Sequence, residues 1–481
     1  MGRVIDSRAM SPRLARWLEF SVVWFLLMSG LAVRYHLIQK WRFAGSDTYG
    51  YLKLADELRL HHRYAMAPEP EPLAWVRPPL FPIFLALAKG DARADMHGGE
   101  GWKQMQHVQI WLEVLGTGLL AYFLARRMAG TVAAAIALAL VMFWPPTVLG
   151  SGTILTECIG TLLYTAAIVP LVLGKHRPRV WFPIAGALVA LSMLLRPDAL
   201  LLSAAFIPAI WWVRAPRRVW RERVLVGVLS LTAFSVVFSP WPVRNYIAFK
   251  EFRPIGGRID RYSRPVQNYE GFWAWLRAWA PDWQPMTYPT TCYYDLNCRP
   301  WIELYDGPGA FETKAERVEV ERLFTKRAKE GLSLGVSQGF QKLADEKIAR
   351  HRFMYHLGLP VSRAWNMWVA PFDELLQGVP PWPELTNRLR PAMVFFAGGL
   401  FVLMLASSIG LSLHRRARHD AAVLVTSIFV RTAILAYTFY CMPRYAVEQM
   451  PIGFVLVSVG LVEAGRELRE FFARRRKASR L

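Results

Sequence analysis

Asp47-Thr-Tyr-Gly-Tyr-Leu-Lys-Leu-Ala-Asp-Glu-Leu58, answered thirty residues on by Arg77-Pro-Pro-Leu-Phe-Pro82, is the stretch on which the reading of this chain turns. Tyr51, Leu54, Ala55 and Leu58 keep helical spacing, so the first segment is an amphipathic helix suited to lie on a membrane rather than cross it. Pro78, Pro79 and Pro82 interrupt the next apolar run. Leu80 to Ala88 is too short to span and reads as a second surface helix begun by proline. Asp47 is a lone acid just after the first apolar segment. A carboxylate held at a membrane surface beside a cation such as Arg77 is equipped to meet a lipid phosphate.

Outward from this stretch, the chain is strongly apolar and strongly basic at once: of 481 residues, 54% are hydrophobic and 13% aromatic, with a net charge of +22. The apolar residues fall in blocks near the roughly 20 residues that cross a bilayer as a helix. The blocks are Trp17 to Leu37, Val108 to Ala125, Val132 to Met142 extending to Thr147, Leu155 to Leu173, and Val180 to Leu195. They continue with Ala199 to Val213, Val224 to Phe238, Pro391 to Leu413, Ala421 to Thr438, and Pro451 to Ala464. The chain is therefore expected to be an all-α polytopic membrane protein of about ten spans, with both termini on one side.

Basic residues decide the side, because short Lys- and Arg-rich loops stay in the cytoplasm. Arg3, Arg8, Arg13 and Arg16 precede the first span, and Arg126 and Arg127 follow the second. Lys175, Arg177 and Arg179 follow the fourth; Arg214, Arg217, Arg218, Arg221 and Arg223 follow the sixth. Arg415, Arg416 and Arg418, then Arg474 to Lys477, complete an alternation that holds along the whole chain. Both termini are thus expected in the cytoplasm. The charge marks topology and contact with anionic lipid, which removes nucleic acid as its explanation. The first span is too long, and too weakly equipped with a small-residue cleavage site, for a removed signal peptide. The Arg- and Ala-rich style, without an organelle signal, points to a bacterial inner membrane.

Three regions follow: residues 1–249 as a membrane module whose first outer loop is 38–107, residues 250–386 as a small extracytoplasmic domain, and residues 387–481 as C-terminal spans with a basic cytoplasmic tail. Cys292 and Cys298 lie in the middle region, outside the cytoplasm, where a bridge closing Cys-Tyr-Tyr-Asp-Leu-Asn-Cys would persist. Its Trp273, Trp275, Trp279 and Trp283 suit either a sugar-stacking surface or a membrane-interface belt, and tryptophan favours interfaces without any ligand. Ala315 to Glu330 reads as helix. No Cys and His spacing of a metal site, glycine-rich phosphate loop or internal repeat is present.

The outer ends of the spans carry a recurrent chemistry. Asp47 follows the first span, Glu157 closes the turn between the third and fourth, and Leu195-Arg-Pro-Asp198 joins the fifth and sixth. The seventh ends in Ser239-Pro-Trp-Pro-Val-Arg244-Asn245-Tyr246, and Met442-Pro-Arg444-Tyr445-Ala-Val-Glu448 joins the last two. Arginine grips phosphate oxygens with two donors at once and stays charged when partly dehydrated. The positive-inside bias depletes Arg on the outer face, so Arg77, Arg196, Arg244 and Arg444 there ask for a counter-charge: a bound phosphate, or Asp47, Glu157 and Asp198 as structural ion pairs. Arg431, near the middle of the ninth span, costs about 2.5–3.5 kcal/mol on insertion scales. It should face the bundle interior, against a buried acid or the lipid phosphate.

In this order these residues resemble the GT-C superfamily of polytopic glycosyltransferases, most nearly the family 39 branch with the protein O-mannosyltransferases and the aminoarabinose transferase of lipid A. The matching pieces are Asp47, Tyr51-Leu-Lys-Leu-Ala, Arg77-Pro-Pro-Leu, Leu124-Ala-Arg-Arg-Met-Ala-Gly130, Thr156-Glu157, Leu195-Arg-Pro197, Pro240-Trp-Pro-Val-Arg-Asn245 and Arg444-Tyr445. The resemblance implies transfer of a sugar from a polyprenyl phosphate carrier to a protein, lipid or glycan acceptor outside the cytoplasm. It assigns Asp47 as catalytic base. Many members have paired acids there, whereas Ser46-Asp47-Thr48 has one, so Asp47 acts alone or with Glu157, and participation of a divalent metal stays open. Arg77, Arg196, Arg244 and Arg444 are the candidate ligands of the donor phosphate, and Tyr51, Asn245 and Tyr445 candidate substrate contacts. Glu157 orients the acceptor, binds the sugar or helps with the proton. The competing readings are a transporter or lipid flippase, disfavoured by the lack of inverted repeats and broken mid-span helices, and a non-catalytic scaffold, in which these charges would lie scattered.

Overall fold

The computed structural model describes residues 11–40, 47–66, 77–92, 98–213, 219–250, 252, 254, 268–282, 284–294, 309–369, 382–414, 417–438 and 442–478. Its regular structure is helical throughout these residues. Five helices are individually long and apolar enough to cross a membrane, and up to seven if each of two bent pairs counts as one span. The helices Glu157–Leu173 and Pro197–Trp211 are apolar but shorter, and Met450–Ala478 runs from an apolar half into a charged one. The count of ten therefore leans on these three. Among the described residues of the basic connections, Arg126 pairs with Glu19 at 2.5 Å, Lys175 with Asp420 at 3.2 Å, and Arg466 donates to the Ala129 carbonyl at 2.8 Å.

A bend shapes the surroundings of Asp47 and Glu157. Thr131–Phe143 stops at Trp144, whose extended backbone and the following Pro145 and Pro146 start a short helix, Pro145–Gly152, turned by 52°. A helix leaves its last carbonyls without donors of its own. Fully buried Arg34, from Pro12–Lys40, supplies them, donating to Val141 at 3.2 Å and Met142 at 2.8 Å with Glu113 3.7 Å away. Beyond the bend, Gln106 and Gln109 donate to the Gly152 and Thr153 carbonyls at 2.6 and 2.9 Å. The entry to Glu157–Leu173 is thereby fixed in place.

Asp47 heads Thr48–His61, whose apolar face meets protein rather than the membrane surface expected for it: Tyr51 and Ala55 are buried with Phe81 and Leu85 of Leu80–Lys89, and Leu54 with Tyr64 and Trp241. Asp56 and Lys89, 2.8 Å apart, tie the two together.

Helices Glu270–Trp279, Gln284–Tyr294, Lys314–Glu330 and Leu334–Arg350 share a separate core. The start of Lys314–Glu330 is set by Thr313, whose hydroxyl accepts the Glu316 amide at 3.1 Å, an N-cap that satisfies one orphan donor. Trp275 and Trp279 are buried here with Phe272, Tyr293 and Phe340, so they form neither a sugar-stacking surface nor a membrane belt. Their four-residue spacing puts both on the inward face of one helix. Trp273 is half-buried and donates to the Tyr294 hydroxyl at 3.2 Å; Trp283 lies outside the described residues. So does Cys298, and with it the expected bridge to Cys292, which is itself buried in this core.

Candidate active site

Asp47 stands at the junction of the first outer loop and the bundle. Its neighbour Thr48 donates to the Ile154 carbonyl at 3.0 Å, hooking the surface helix onto the turn that precedes Glu157. With Thr48 anchored in this way, the Asp47 carboxylate meets cations: Arg77 at 2.8 Å on one oxygen and Arg444 at 3.5 Å on the other. Burial pushes the Asp47 carboxyl up, but Arg77 and Arg444 outweigh it and hold the group below its ordinary range. Arg77 is itself steered: its guanidinium lies 4.4 Å over the Tyr51 ring, and Tyr64 donates to its carbonyl at 3.0 Å.

Glu157 is the first residue of its helix, where the positive end of the helix dipole favours a carboxylate. It is buried, with Arg196 at 3.4 Å and Arg444 at 3.7 Å. Arg196 terminates Pro178–Leu195 in extended conformation, so its side chain leaves the helix axis and meets three acids: Glu157, Asp198 at 3.2 Å and Glu448 at 3.1 Å. The Tyr445 ring has the Arg196 guanidinium 4.3 Å and the Arg444 guanidinium 5.6 Å from its centre. Arg431, fully buried, pairs with Asp198 and Glu448, each at 2.5 Å. Of the two roles left open for the mid-span arginine, the buried acid is what it finds.

Asp47, Glu157, Asp198 and Glu448 thus alternate with Arg77, Arg196, Arg431 and Arg444, four charges of each sign in one connected network. Arg244 joins it differently. Its guanidinium lies 5.1 Å from the Trp241 ring centre and donates to Asn245 Oδ1 at 2.9 Å and to the carbonyl of Tyr64 at 3.3 Å, the residue that also holds Arg77. Asn245 is buried. The two candidate acids, the four candidate arginines, Tyr51, Asn245 and Tyr445 are therefore linked through direct or one-residue contacts. Among the described residues, no three His, Cys, Asp or Glu side chains group as a metal site.

Glu448 is the member that sequence reasoning passed over. It was visible only as the acid one helical turn beyond Arg444, and Arg431, the cation in need of an acid, was the signal that could have singled it out.

Residues 78–243 match the family model of the dolichyl-phosphate-mannose-protein mannosyltransferases. No curated protein matches the chain by sequence. Among solved structures, the chain is similar to the oligosaccharyltransferase AglB of Archaeoglobus fulgidus in complex with an inhibitory peptide and a dolichol phosphate, at 14% identity and a TM-score of 0.51, over 96% of this chain and 52% of that one. It is also similar to the A. fulgidus oligosaccharyltransferase tethered to an acceptor peptide with the NVT sequon, at 16% identity and a TM-score of 0.50, over 95% and 50%. ArnT of Cupriavidus metallidurans bound to undecaprenyl phosphate aligns at 15% identity and a TM-score of 0.39, over 95% and 79%. The chain spans about half the length of the archaeal enzymes it matches. The resemblance read from the sequence agrees with these findings: residues 78–243 match the mannosyltransferase model, and the helical fold is shared with the archaeal oligosaccharyltransferase.

Proposed function

We propose that this chain, a membrane protein with the GT-C fold, moves a sugar from a polyprenyl phosphate carrier to an acceptor at the outer face of a bacterial inner membrane, with Asp47 as base. The carrying observation is the contact of Asp47 with Arg77 and Arg444, continuous through Glu157 with Arg196. A sugar phosphate on a long lipid cannot leave the bilayer, so its reactive carbon is met at headgroup level, at the ends of the helices. Attack on that carbon builds negative charge on the departing phosphate. Fixed guanidinium groups stabilise it without reorganising, often the largest single contribution to catalysis. Asp47 takes the acceptor proton as the new bond forms, and direct displacement inverts the anomeric centre. Glu157, deeper and flanked by Arg196 and Arg444, holds the arginines in register. In this reading both termini are cytoplasmic, and residues 250–386 form the extracytoplasmic domain that meets the acceptor.

The test is incubation of the purified protein with a panel of polyprenyl phosphate sugars together with candidate protein, lipid and glycan acceptors, reading release of the free lipid phosphate. Turnover by the wild type and a loss of at least about 100-fold in Asp47→Asn, the low end for a general base, are expected. Near-normal turnover by that variant removes Asp47 as base; no turnover with any donor overturns the reading.

A further inference from the structure

Arg431 lies too deep to touch a substrate at the outer face, yet it faces the same acids as Arg196. Three carboxylates crowd the Arg196 guanidinium, at 3.4, 3.2 and 3.1 Å. Alone with them, one positive charge would be spent three times over, and Arg196 would offer an incoming anion little. Two of the three, Asp198 and Glu448, are also held by Arg431. Arg431 further donates to the Tyr445 carbonyl at 3.3 Å, fixing the turn whose ring lies against both Arg196 and Arg444. Buried pairs of this kind are poor sources of stability, since desolvation cancels much of their attraction. Their effect on the charge presented next door is not cancelled, because a low-dielectric interior screens it weakly.

We propose that Arg431 is a positioning residue that neutralises Asp198 and Glu448 so that Arg196 keeps its charge for the phosphate of the donor. This rests on the donor being a polyprenyl phosphate sugar, as argued above. The mid-span cation acts through Arg196 and Tyr445, and the acids it shares set the electrostatic level of the site.

The experiment measures binding of undecaprenyl phosphate to the full-length protein in detergent, with thermal melting in parallel. Arg431→Gln is expected to weaken binding about tenfold, since Asp198 and Glu448 then fall to Arg196 alone. Arg431→Gln combined with Glu448→Gln returns affinity toward wild type, and Arg431→Lys stays closer to wild type than Arg431→Gln. Glu448→Gln alone binds at least as tightly as wild type, although it breaks a buried ion pair and lowers the melting temperature. That opposition is what a purely structural role would not produce, and it decides the matter even where Arg431→Gln does not fold. Weaker binding by Glu448→Gln, or equal binding by Arg431→Gln and wild type, overturns the inference alone. Failure of the wild type to bind undecaprenyl phosphate overturns both the proposed function and this inference.

Discussion

At the scale of single residues, Asp47 is paired with cations whose charge sets its basicity. Its carboxyl is held below the ordinary carboxylate range of about 4. A base works deprotonated, so activity is lost as pH falls through the folded-state value and is full above it. The acid limb of kcat/KM, which reports the free enzyme, should therefore lie below that ordinary range. Arg77→Gln removes the cation at 2.8 Å and leaves burial less opposed, so the limb should move to higher pH. A pH-rate profile checks this; an unmoved limb assigns the titration to another group. The same residues show what a sequence can carry. Asp47, Glu157, Arg196 and Arg444 sit in short turns at helix ends, where topology alone brings them to one face. Glu448 and Asp198 lie in such turns too, but their pairing with Arg431 depends on which helices pack together, and no spacing along the chain encodes that.

Among the elements, close approaches of backbone mark where packing is least forgiving. Gly271 lies where Glu270–Trp279 crosses Leu334–Arg350, and its amide donates to the Ser337 hydroxyl at 3.0 Å. A Cβ there would come within 1.7 Å of the Ser337 carbonyl oxygen, a backbone atom that cannot swing aside. Gly271→Ala must spread the two helices and should destabilise this unit by about 1–3 kcal/mol, the usual range for overpacking. Denaturation followed through the fluorescence of buried Trp275 and Trp279 measures it, and an unchanged midpoint would show that the helices slide apart without cost. The tryptophan-rich run was legible as an aromatic cluster in the middle region. Whether that cluster met lipid, sugar or protein was not, because tryptophan serves all three and the answer lies in Tyr293 and Phe340, brought in from other helices.

At the scale of the whole molecule, the largest core, in the bundle, is joined to a separate one in residues 269–344. Hydropathy gave the apolar helices of the bundle, since their length and composition follow from transfer into lipid. It resolved less well the short and bent helices, such as the 52° turn at Pro145, which depend on buried partners like Arg34. The junction between the cores was not readable from composition. It centres on Arg363, a buried cation of Leu359–Val369, the helix that packs against Trp382–Leu413 and Arg418–Thr438. Arg363 donates to Arg277 and Ala280 carbonyls at 2.6 and 2.8 Å, at the end of Glu270–Trp279, and to the Ala436 carbonyl of the bundle at 3.4 Å. Arg363→Met keeps the apolar stem but strips these carbonyls of a charged donor, each such bond contributing about 1.5–3 kcal/mol. Hydrogen exchange in the full-length protein should then show lost protection at residues near 277–280 and 436, where the junction opens. Lys314–Glu330, packed in its own core by Val320 and Leu323, should keep its protection. Uniform loss across both cores would mean that they fold as one cooperative unit, and no change at the junction would mean that Asn366, which donates to the Pro281 carbonyl at 3.3 Å and to Asp282 at 3.2 Å, suffices to hold them together.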